Sequence, residues 1–196
     1  MKKIVIITGV SGTGKSTLAK KLYQEIKNST MLSMDVLAEN IYDIAGFKNR
    51  KEKQQLKKIY ITMFKKILEE VLKREDEIVI VEYPFKKEWI SFFDKIIEKY
   101  NYKAYTIQLY AKDFDTIWDR LQKREPSKQR HPSHYLEKYE LRNKNKYKPY
   151  FEYEYDVLKQ EYEEKLSNCI QMGTVIKVKD IEELNIEELI TIIKEK

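Results

Sequence analysis

Short apolar runs alternate with longer amphipathic stretches along this chain of 196 residues. Runs rich in β-branched residues predict five strands, the first beginning at Ile4 and the others over 30–33, 77–82, 104–110 and 174–178. Apolar residues at helical spacing predict helices over 36–45, 50–74, 86–100, about 113–124 and from Asn185 onward. A polar, Tyr-rich stretch from Pro132 to about residue 168, interrupted near Pro149, is also predicted to be helical.

This alternation of strands and helices predicts an α/β fold, in which helices cover both faces of a parallel sheet. Because no linker or repeat divides the chain, we expect a single domain over residues 1–196 with a helical insertion at about 125–168. No apolar run is long enough for a membrane span, and the N-terminal run does not resemble a signal peptide. Cys169 is the only cysteine, which excludes an internal disulfide and favours a reducing, cytoplasmic compartment.

The net charge of +6 is concentrated in one window of the sequence. Residues 120–148 carry ten basic and three acidic residues, whereas the rest of the chain is close to neutral. This window is typical either of a lid that binds anions or of a lysine-rich, solvated helix.

The first predicted strand runs directly into Gly9-x-x-x-x-Gly14-Lys15-Ser16, and a predicted helix follows. This is the pattern of a phosphate-binding P-loop, in which glycines turn the backbone so that its N–H groups face phosphate oxygens. Lys15 is expected to reach the β- and γ-phosphates, and the Ser16 hydroxyl to hold Mg²⁺. The predicted nucleotide-binding residues are Gly9, Val10, Ser11, Gly12, Thr13, Gly14, Lys15, Ser16 and Thr17.

Four further residues lie at the ends of the second and third predicted strands and should meet at the same edge of the sheet, where open α/β folds bind ligands. Asp35 follows the second strand and is a candidate base for an acceptor hydroxyl, or alternatively a helix N-cap. Glu82 ends the third strand and could hold Mg²⁺ through water, contact the acceptor, or simply follow a buried strand. Tyr83 and Phe85 beside it could line an acceptor pocket or pack in the core.

Arginines supply candidate positive charge for phosphate. Arg120 and Arg124 lie one turn apart on a predicted helix and therefore point the same way, unless they merely neutralise Asp119 and Glu125. Arg130 falls on a predicted loop, from which closure could bring it to the phosphates.

Two other features near this loop have simpler explanations. His131 and His134 lack a cluster of cysteines or carboxylates at ligand spacing, so loop structure is expected of them rather than a metal site. Seven tyrosines lie between residues 135 and 162, and spacing such as that of Tyr135 and Tyr139 is typical of helix packing.

Together, these motifs resemble the P-loop small-molecule and nucleotide kinases, such as gluconate kinase, chloramphenicol phosphotransferase and the adenylate-kinase-like enzymes. The residues that carry the resemblance are the P-loop GVSGTGKST, Asp35, Glu82-Tyr83-Pro84-Phe85, Asp119-Arg120-x-x-x-Arg124 and Arg130-His131-Pro132-x-His134. The resemblance implies a three-layer sandwich with strand order 2-3-1-4-5 and a lid that carries arginines. It also implies that Arg120 stacks near adenine and that Arg124 meets phosphate.

The expected function is a kinase that moves the γ-phosphoryl group of Mg-ATP to a hydroxyl of a small molecule. The catalytic candidates are Lys15, Asp35, Arg124 and Arg130. Alternatives are a nucleotide or polynucleotide kinase, suggested by the basic window, and an ATPase that acts as a regulatory switch. The guanine-reading Asn-Lys-x-Asp of a GTPase is missing, since Asn143-Lys144-Asn145-Lys146 has no Asp in fourth place.

Expectations about the acceptor and the partners are less specific. Lys48 is the only basic residue between Asp35 and Arg50, which favours a neutral acceptor over a nucleoside monophosphate. The chain is expected to be a monomer or homodimer with neither a membrane partner nor, in the favoured interpretation, a nucleic-acid partner.

Overall fold

The computed structural model describes residues 2–74, 77–124, 130–147 and 154–195. Within these residues, five strands form a parallel sheet in the order β2-β3-β1-β4-β5. The strands are β1 Lys3–Gly9, β2 Ser29–Ser33, β3 Ile78–Glu82, β4 Lys103–Leu109 and β5 Thr174–Val178. The fold class and the strand order predicted above are therefore confirmed.

Seven α-helices lie within the described residues and connect or flank the strands. They are α1 Lys15–Glu25, α2 Met34–Ala45, α3 Arg50–Lys73, α4 Ile90–Tyr100, α5 Phe114–Arg124, α6 Tyr155–Ser167 and α7 Ile186–Glu195. Asn185 lies where the sequence predicts that this last helix begins, and it caps α7, because its Oδ1 accepts a hydrogen bond from the Glu188 N–H at 3.2 Å. None of the helices in the described ranges has the length and apolar character needed to span a membrane.

The central strand β1 divides the core in two because its side chains alternate between the faces of the sheet. Ile4 and Ile6 pack with α3 and α4 on one face, while Val5 and Ile7 pack with α1 and α7 on the other. All seven residues of β1 are buried, as expected for a parallel strand covered on both sides. This burial fixes the loop that leaves β1 at the centre of the sheet edge.

The segment of residues 130–147, hereafter the lid segment, differs from its prediction. Instead of an α-helix it forms 3-10 turns at Pro132–His134 and Leu141–Lys146, with a bridge between Tyr139 and Phe47. The Tyr139 N–H and C=O pair with the Phe47 C=O and N–H at 2.7 and 2.8 Å, so they are not used in a helical turn. Tyr139 is fully buried, as packing would require. The helical prediction holds from Tyr155 to Ser167, whereas Pro149 lies outside the described residues.

Candidate active site

The carboxyl ends of the strands surround a cavity of about 610 Å³, here called the main cavity. The P-loop forms its floor, and Asp35, Tyr83 and the arginines contribute to its walls. Its lining residues are Ser11, Gly12, Gly14, Lys15, Ser16, Thr17, Lys21, Asp35, Tyr83, Pro84, Arg120, Arg124, Arg130, His134, Ile181, Glu182 and Leu184. Site residues predicted from distant parts of the sequence therefore line the same cavity.

Two glycines of the P-loop are required by its geometry. Gly14 caps the N-terminus of α1 with φ 90°, and a β-carbon there would lie 2.9 Å from Ile181 Cδ1. Gly9 has φ 143°, and its β-carbon would approach the Leu109 carbonyl oxygen to 2.4 Å. Any other residue at these positions would strain the backbone or displace its neighbours. The loop therefore keeps its shape at the N-terminus of α1, where N–H groups and the helix dipole favour an anion.

The remaining predicted P-loop residues differ in where they lie. Six of the nine line the main cavity, while Gly9 and Val10 line a smaller cavity beside it. Thr13 is buried beneath the loop, where its Oγ1 donates a hydrogen bond to the Val10 carbonyl at 2.8 Å. Thr13 therefore contributes to the loop's internal structure rather than to the cavity wall.

Lys15 is largely buried at the floor of the main cavity. Its Nζ donates a hydrogen bond to the Val10 carbonyl oxygen at 2.9 Å. Burial lowers the pKa of this ammonium, and the nearby carboxylates of Glu82 and Asp35 partly offset the effect. Because this ammonium is poorly solvated, hydrogen bonds to phosphate oxygens would stabilise it strongly.

Glu82 lies under the P-loop, where its carboxylate accepts hydrogen bonds from two serine hydroxyl groups. Ser33 Oγ donates to Oε2 at 2.7 Å, and Ser16 Oγ donates to Oε1 at 3.3 Å. Burial raises the pKa of Glu82, with the Lys15 ammonium acting in the opposite direction. Within the described residues there is no cluster of three or more His, Cys, Asp or Glu that could hold a metal by itself. The Ser16 and Glu82 oxygens nevertheless fit Mg²⁺, which prefers hard oxygen ligands and usually keeps waters and substrate phosphates as well.

Asp35 borders more of the cavity space than Glu82 does. It lies in the first turn of α2, where Ser33 is the N-cap, so the alternative of an N-cap role is wrong for Asp35. The half-buried side chain lines both the main cavity and an adjoining cavity of about 400 Å³. Glu82 lines the adjoining cavity but not the main one, and its carboxylate accepts the two serine hydrogen bonds described above.

The face of α2 that carries Asp35 also contacts the lid segment. Asp35, Glu39 and Asp43 follow one another at intervals of one helical turn. His134 Nε2 lies 2.7 Å from Glu39 Oε1, and His131 Nε2 lies 2.9 Å from Asp43 Oδ1. The two histidines therefore attach the lid segment to α2, in agreement with the structural role predicted for them.

Two further contacts strengthen this attachment. The Tyr139 hydroxyl donates a short hydrogen bond to Asp43 Oδ1. Burial raises the pKa of Glu39, but the hydrogen bond and charge of His134 outweigh that effect and hold it below its usual value. The attachment lies immediately after Arg130, which lines both the main and the adjoining cavities.

The arginines of α5 have different surroundings. Arg120 Nη2 pairs with Asp180 Oδ1 at 2.9 Å and with Glu182 Oε1 at 3.0 Å, so the carboxylates that it contacts come from the segment after β5 and not from Asp119. Glu125 itself lies outside the described residues. Arg124 reaches the adjoining cavity as well as the main one. The adenine and phosphate roles of these arginines stay predictions.

Ile181, Glu182 and Leu184 also line the main cavity, and the sequence motifs did not point to them. They follow β5, so they reach the same edge as the residues after β1, β2 and β3. Their position directly after a predicted strand is the sequence feature that could have identified them as cavity residues. The apolar side chains of Ile181 and Leu184 give the cavity a surface suited to a flat ring, next to Arg120.

Tyr83 and Phe85 have separate places despite their proximity. Tyr83 is half-buried and lines the main cavity and the smaller one beside it. Phe85 is fully buried in the core, with its ring against Phe64, Trp89 and Phe93. The assignment of Phe85 to an acceptor pocket is therefore wrong, because Pro84 turns the chain and directs the next side chain inward.

Comparison with known proteins places the chain in a family and identifies its fold. A family model described as an AAA domain matches residues 4–149, while no curated protein matches the sequence. A candidate kinase from Chloroflexus aurantiacus is 16% identical with a TM-score of 0.74, covering 99% of this chain and 94% of the other. A sugar kinase from Janibacter is 17% identical with a TM-score of 0.52, covering 97% and 91%.

Kti12 from Chaetomium thermophilum, solved in complex with ADP-AlF3, is 14% identical with a TM-score of 0.54, covering 97% of this chain and 98% of that one. At such identities the likeness to solved structures concerns the fold alone. The family match, however, extends over most of the chain and includes the P-loop, Asp35, Glu82 and the arginines. The chain therefore belongs to this AAA domain family, and its fold is that of the P-loop kinases.

Proposed function

We propose that the protein is a kinase that transfers the γ-phosphoryl group of ATP to a hydroxyl group of a small molecule. One observation carries the proposal: Lys15, Asp35, Arg124 and Arg130 all line the same cavity at the carboxyl edge of the sheet. Phosphoryl transfer needs positioning and positive charge more than covalent chemistry, and this cavity offers both.

The nucleotide is expected to place its phosphates in the P-loop. The N–H groups at the start of α1 would donate to phosphate oxygens, and Lys15 would exchange its bond to the Val10 carbonyl for one to phosphate. Ile181 and Leu184 would contact the base. The complex of Kti12 with ADP-AlF3 supports nucleotide binding by this fold.

The acceptor is expected to approach from the side of Asp35. Its hydroxyl oxygen would attack the γ-phosphorus while the bond from that phosphorus to the β,γ-bridging oxygen breaks and ADP leaves. Asp35 would accept the hydroxyl proton, and Arg124 and Arg130 would offset the charge on the transferred group. Their guanidinium groups suit this purpose because they remain charged and match the geometry of phosphate.

Mg²⁺ would neutralise charge on the β- and γ-phosphates when bound. Ser16 and Glu82 would hold it, directly and through water respectively. The buried Glu82 carboxylate, with its hydroxyl donors from Ser16 and Ser33, is oriented toward the first turn of α1. Its place behind Ser16 suits a supporting role better than contact with the acceptor.

The experiment that tests the proposal is a screen of small hydroxyl compounds with labelled ATP and magnesium. Transfer of the γ-phosphate label to one compound, lost in the Lys15→Ala variant, is the expected result. Nucleotide binding without transfer to any compound, together with hydrolysis equal in wild type and Asp35→Asn, would contradict it. A fluorescent ATP analogue measures nucleotide binding separately in each variant.

A further inference from the structure

A second cavity, here called the side cavity, lies beside the P-loop on the side of α3. It measures about 210 Å³ and is lined by Gly9, Val10, Ser11, Lys57, Ile61, Tyr83, Pro84, Lys86, Glu88, Trp89, Lys165 and Cys169. Ser11, Tyr83 and Pro84 line the main cavity as well. A molecule in the side cavity would therefore lie next to the place proposed for phosphoryl transfer.

The walls of the side cavity combine apolar surface with a cationic rim. Trp89, Ile61 and Pro84 supply apolar or aromatic surface, and Trp89 is only 6% exposed. Three lysines stand around this surface, each from a different part of the fold: Lys57 from α3, Lys86 after β3 and Lys165 from α6. Such a site suits a ligand with a flat or apolar body and a negatively charged group.

The charges around the side cavity indicate how much negative charge the ligand carries. The Lys165 ammonium pairs with Glu161 on the same helix. Lys57 and Lys86 remain, and Glu88 is the one carboxylate among the residues that line the cavity. The excess of about one positive charge matches a monoanion, such as a carboxylate, better than a phosphate dianion.

We propose that the side cavity binds a small aromatic carboxylic acid, held through its carboxylate by Lys57 and Lys86 and through its ring by Trp89. If the protein is the kinase proposed above, this compound is the acceptor or the part of it remote from the reacting hydroxyl. The expectation of a neutral acceptor used only residues 35–50, whereas these lysines lie on α3 and after β3. The side cavity is smaller than the typical ligand pocket of about 300–1,000 Å³, so a single ring is the body that fits.

The test observes Trp89 directly, because the chain has only two tryptophans. Their indole N–H signals are followed by ¹⁵N NMR while single-ring aromatic carboxylates are added, each paired with its primary amide. Carboxylates should shift the signal of Trp89 and leave that of Trp118, which lies outside the side cavity, in place. Amides of the same shape should bind about 2–30-fold more weakly, because they lack the charge that two exposed ammonium groups attract.

Adjacent lysines provide matched controls. Lys57→Ala with Lys86→Ala should weaken binding of the carboxylates about tenfold, whereas Lys58→Ala with Lys87→Ala should leave it unchanged. Lys58 and Lys87 are exposed and do not line the side cavity. Equal binding of acids and amides, equal losses in the two double variants, or an unmoved Trp89 signal would each overturn the proposal.

The same preparation separates this inference from the proposed function. If carboxylates bind at Trp89 but no label is transferred from ATP to any compound, the side cavity stands and the kinase assignment fails. If label is transferred to a neutral compound at a rate that the Lys57/Lys86 variant does not alter, the kinase stands and the carboxylate site fails.

Discussion

Replacement of Asp35 by asparagine separates catalysis from folding at the candidate site. The substitution keeps the size and polarity of the side chain but removes its charge and its capacity to take a proton. Asp35 lies in the first turn of α2 and lines two cavities, so it is accessible to an acceptor. The change is therefore directed at chemistry, with little disturbance of packing.

The expected magnitudes differ widely. A positioned general base contributes about 10²–10⁴-fold to a rate, so turnover should fall by at least about a hundredfold, or about 2.7 kcal/mol in the barrier. The stability of the fold should fall by only about 0.3–1 kcal/mol, since the main loss is the interaction of one carboxylate with the α2 dipole. Affinity for the ATP analogue should change little.

The assay is single-turnover transfer of labelled phosphate to the acceptor found by screening, alongside urea unfolding. Asp35→Glu retains a carboxylate and should recover part of the rate. Asp94→Asn removes a charge from an exposed position on α4 and should have the rate of the wild type. Asp35 is not the base if Asp35→Asn keeps a rate within about threefold of wild type. The same conclusion follows if its free energy of unfolding falls by as much as its activation barrier rises.

Three other substitutions test separate parts of the structure. Lys15→Ala removes a charge-assisted hydrogen bond to phosphate and should weaken binding of the ATP analogue about 10–100-fold by fluorescence titration; unchanged affinity would contradict the P-loop assignment. Phe85→Ala opens the core and should lower the free energy of unfolding by about 3–5 kcal/mol in urea, whereas a change in acceptor KM without that loss would return Phe85 to the acceptor site. The pKa of Glu39 is held low by His134, so ionised Glu39 stabilises the fold above the ordinary carboxyl pKa of 4.5 and this contribution is lost as the pH falls through the lowered value. The stability difference between wild type and Glu39→Gln should accordingly be present at about pH 6 and shrink as the pH falls below 4.5, and a difference that stays constant on acidification would contradict the ion pair.

Local pattern predicted the centre of the sheet most directly, because the strands there are short, continuous apolar runs bounded by turn residues. β1 and β3 are buried on both faces, and each appears in the sequence as an uninterrupted β-branched run. The P-loop was equally accessible, since its glycines, lysine and serine lie within eight residues of one another. The strand order, by contrast, came from family resemblance and not from periodicity.

The sequence did not predict features that depend on contacts between distant residues. Arg120 pairs with Asp180, and Tyr139 pairs with Phe47, across separations that leave no local pattern. Amphipathic spacing in the lid segment suggested a helix. The helix does not form there, because the backbone N–H and C=O of Tyr139 pair with Phe47 instead. Phe85 shows the same limit, because its direction is decided by a turn at Pro84 and by neighbouring rings from α3 and α4.

The attachment of the two histidines to α2 has a mechanical consequence. Since Arg130 immediately precedes His131, and Asp35 lies on the helix to which His131 and His134 are bound, a rotation of α2 would carry the proposed base and the Arg130 guanidinium together. Their separation is then preserved while the cleft widens or narrows around them. If Asp35 and Arg130 have the proposed roles, the cleft could then open for an acceptor without changing the distance between these two residues.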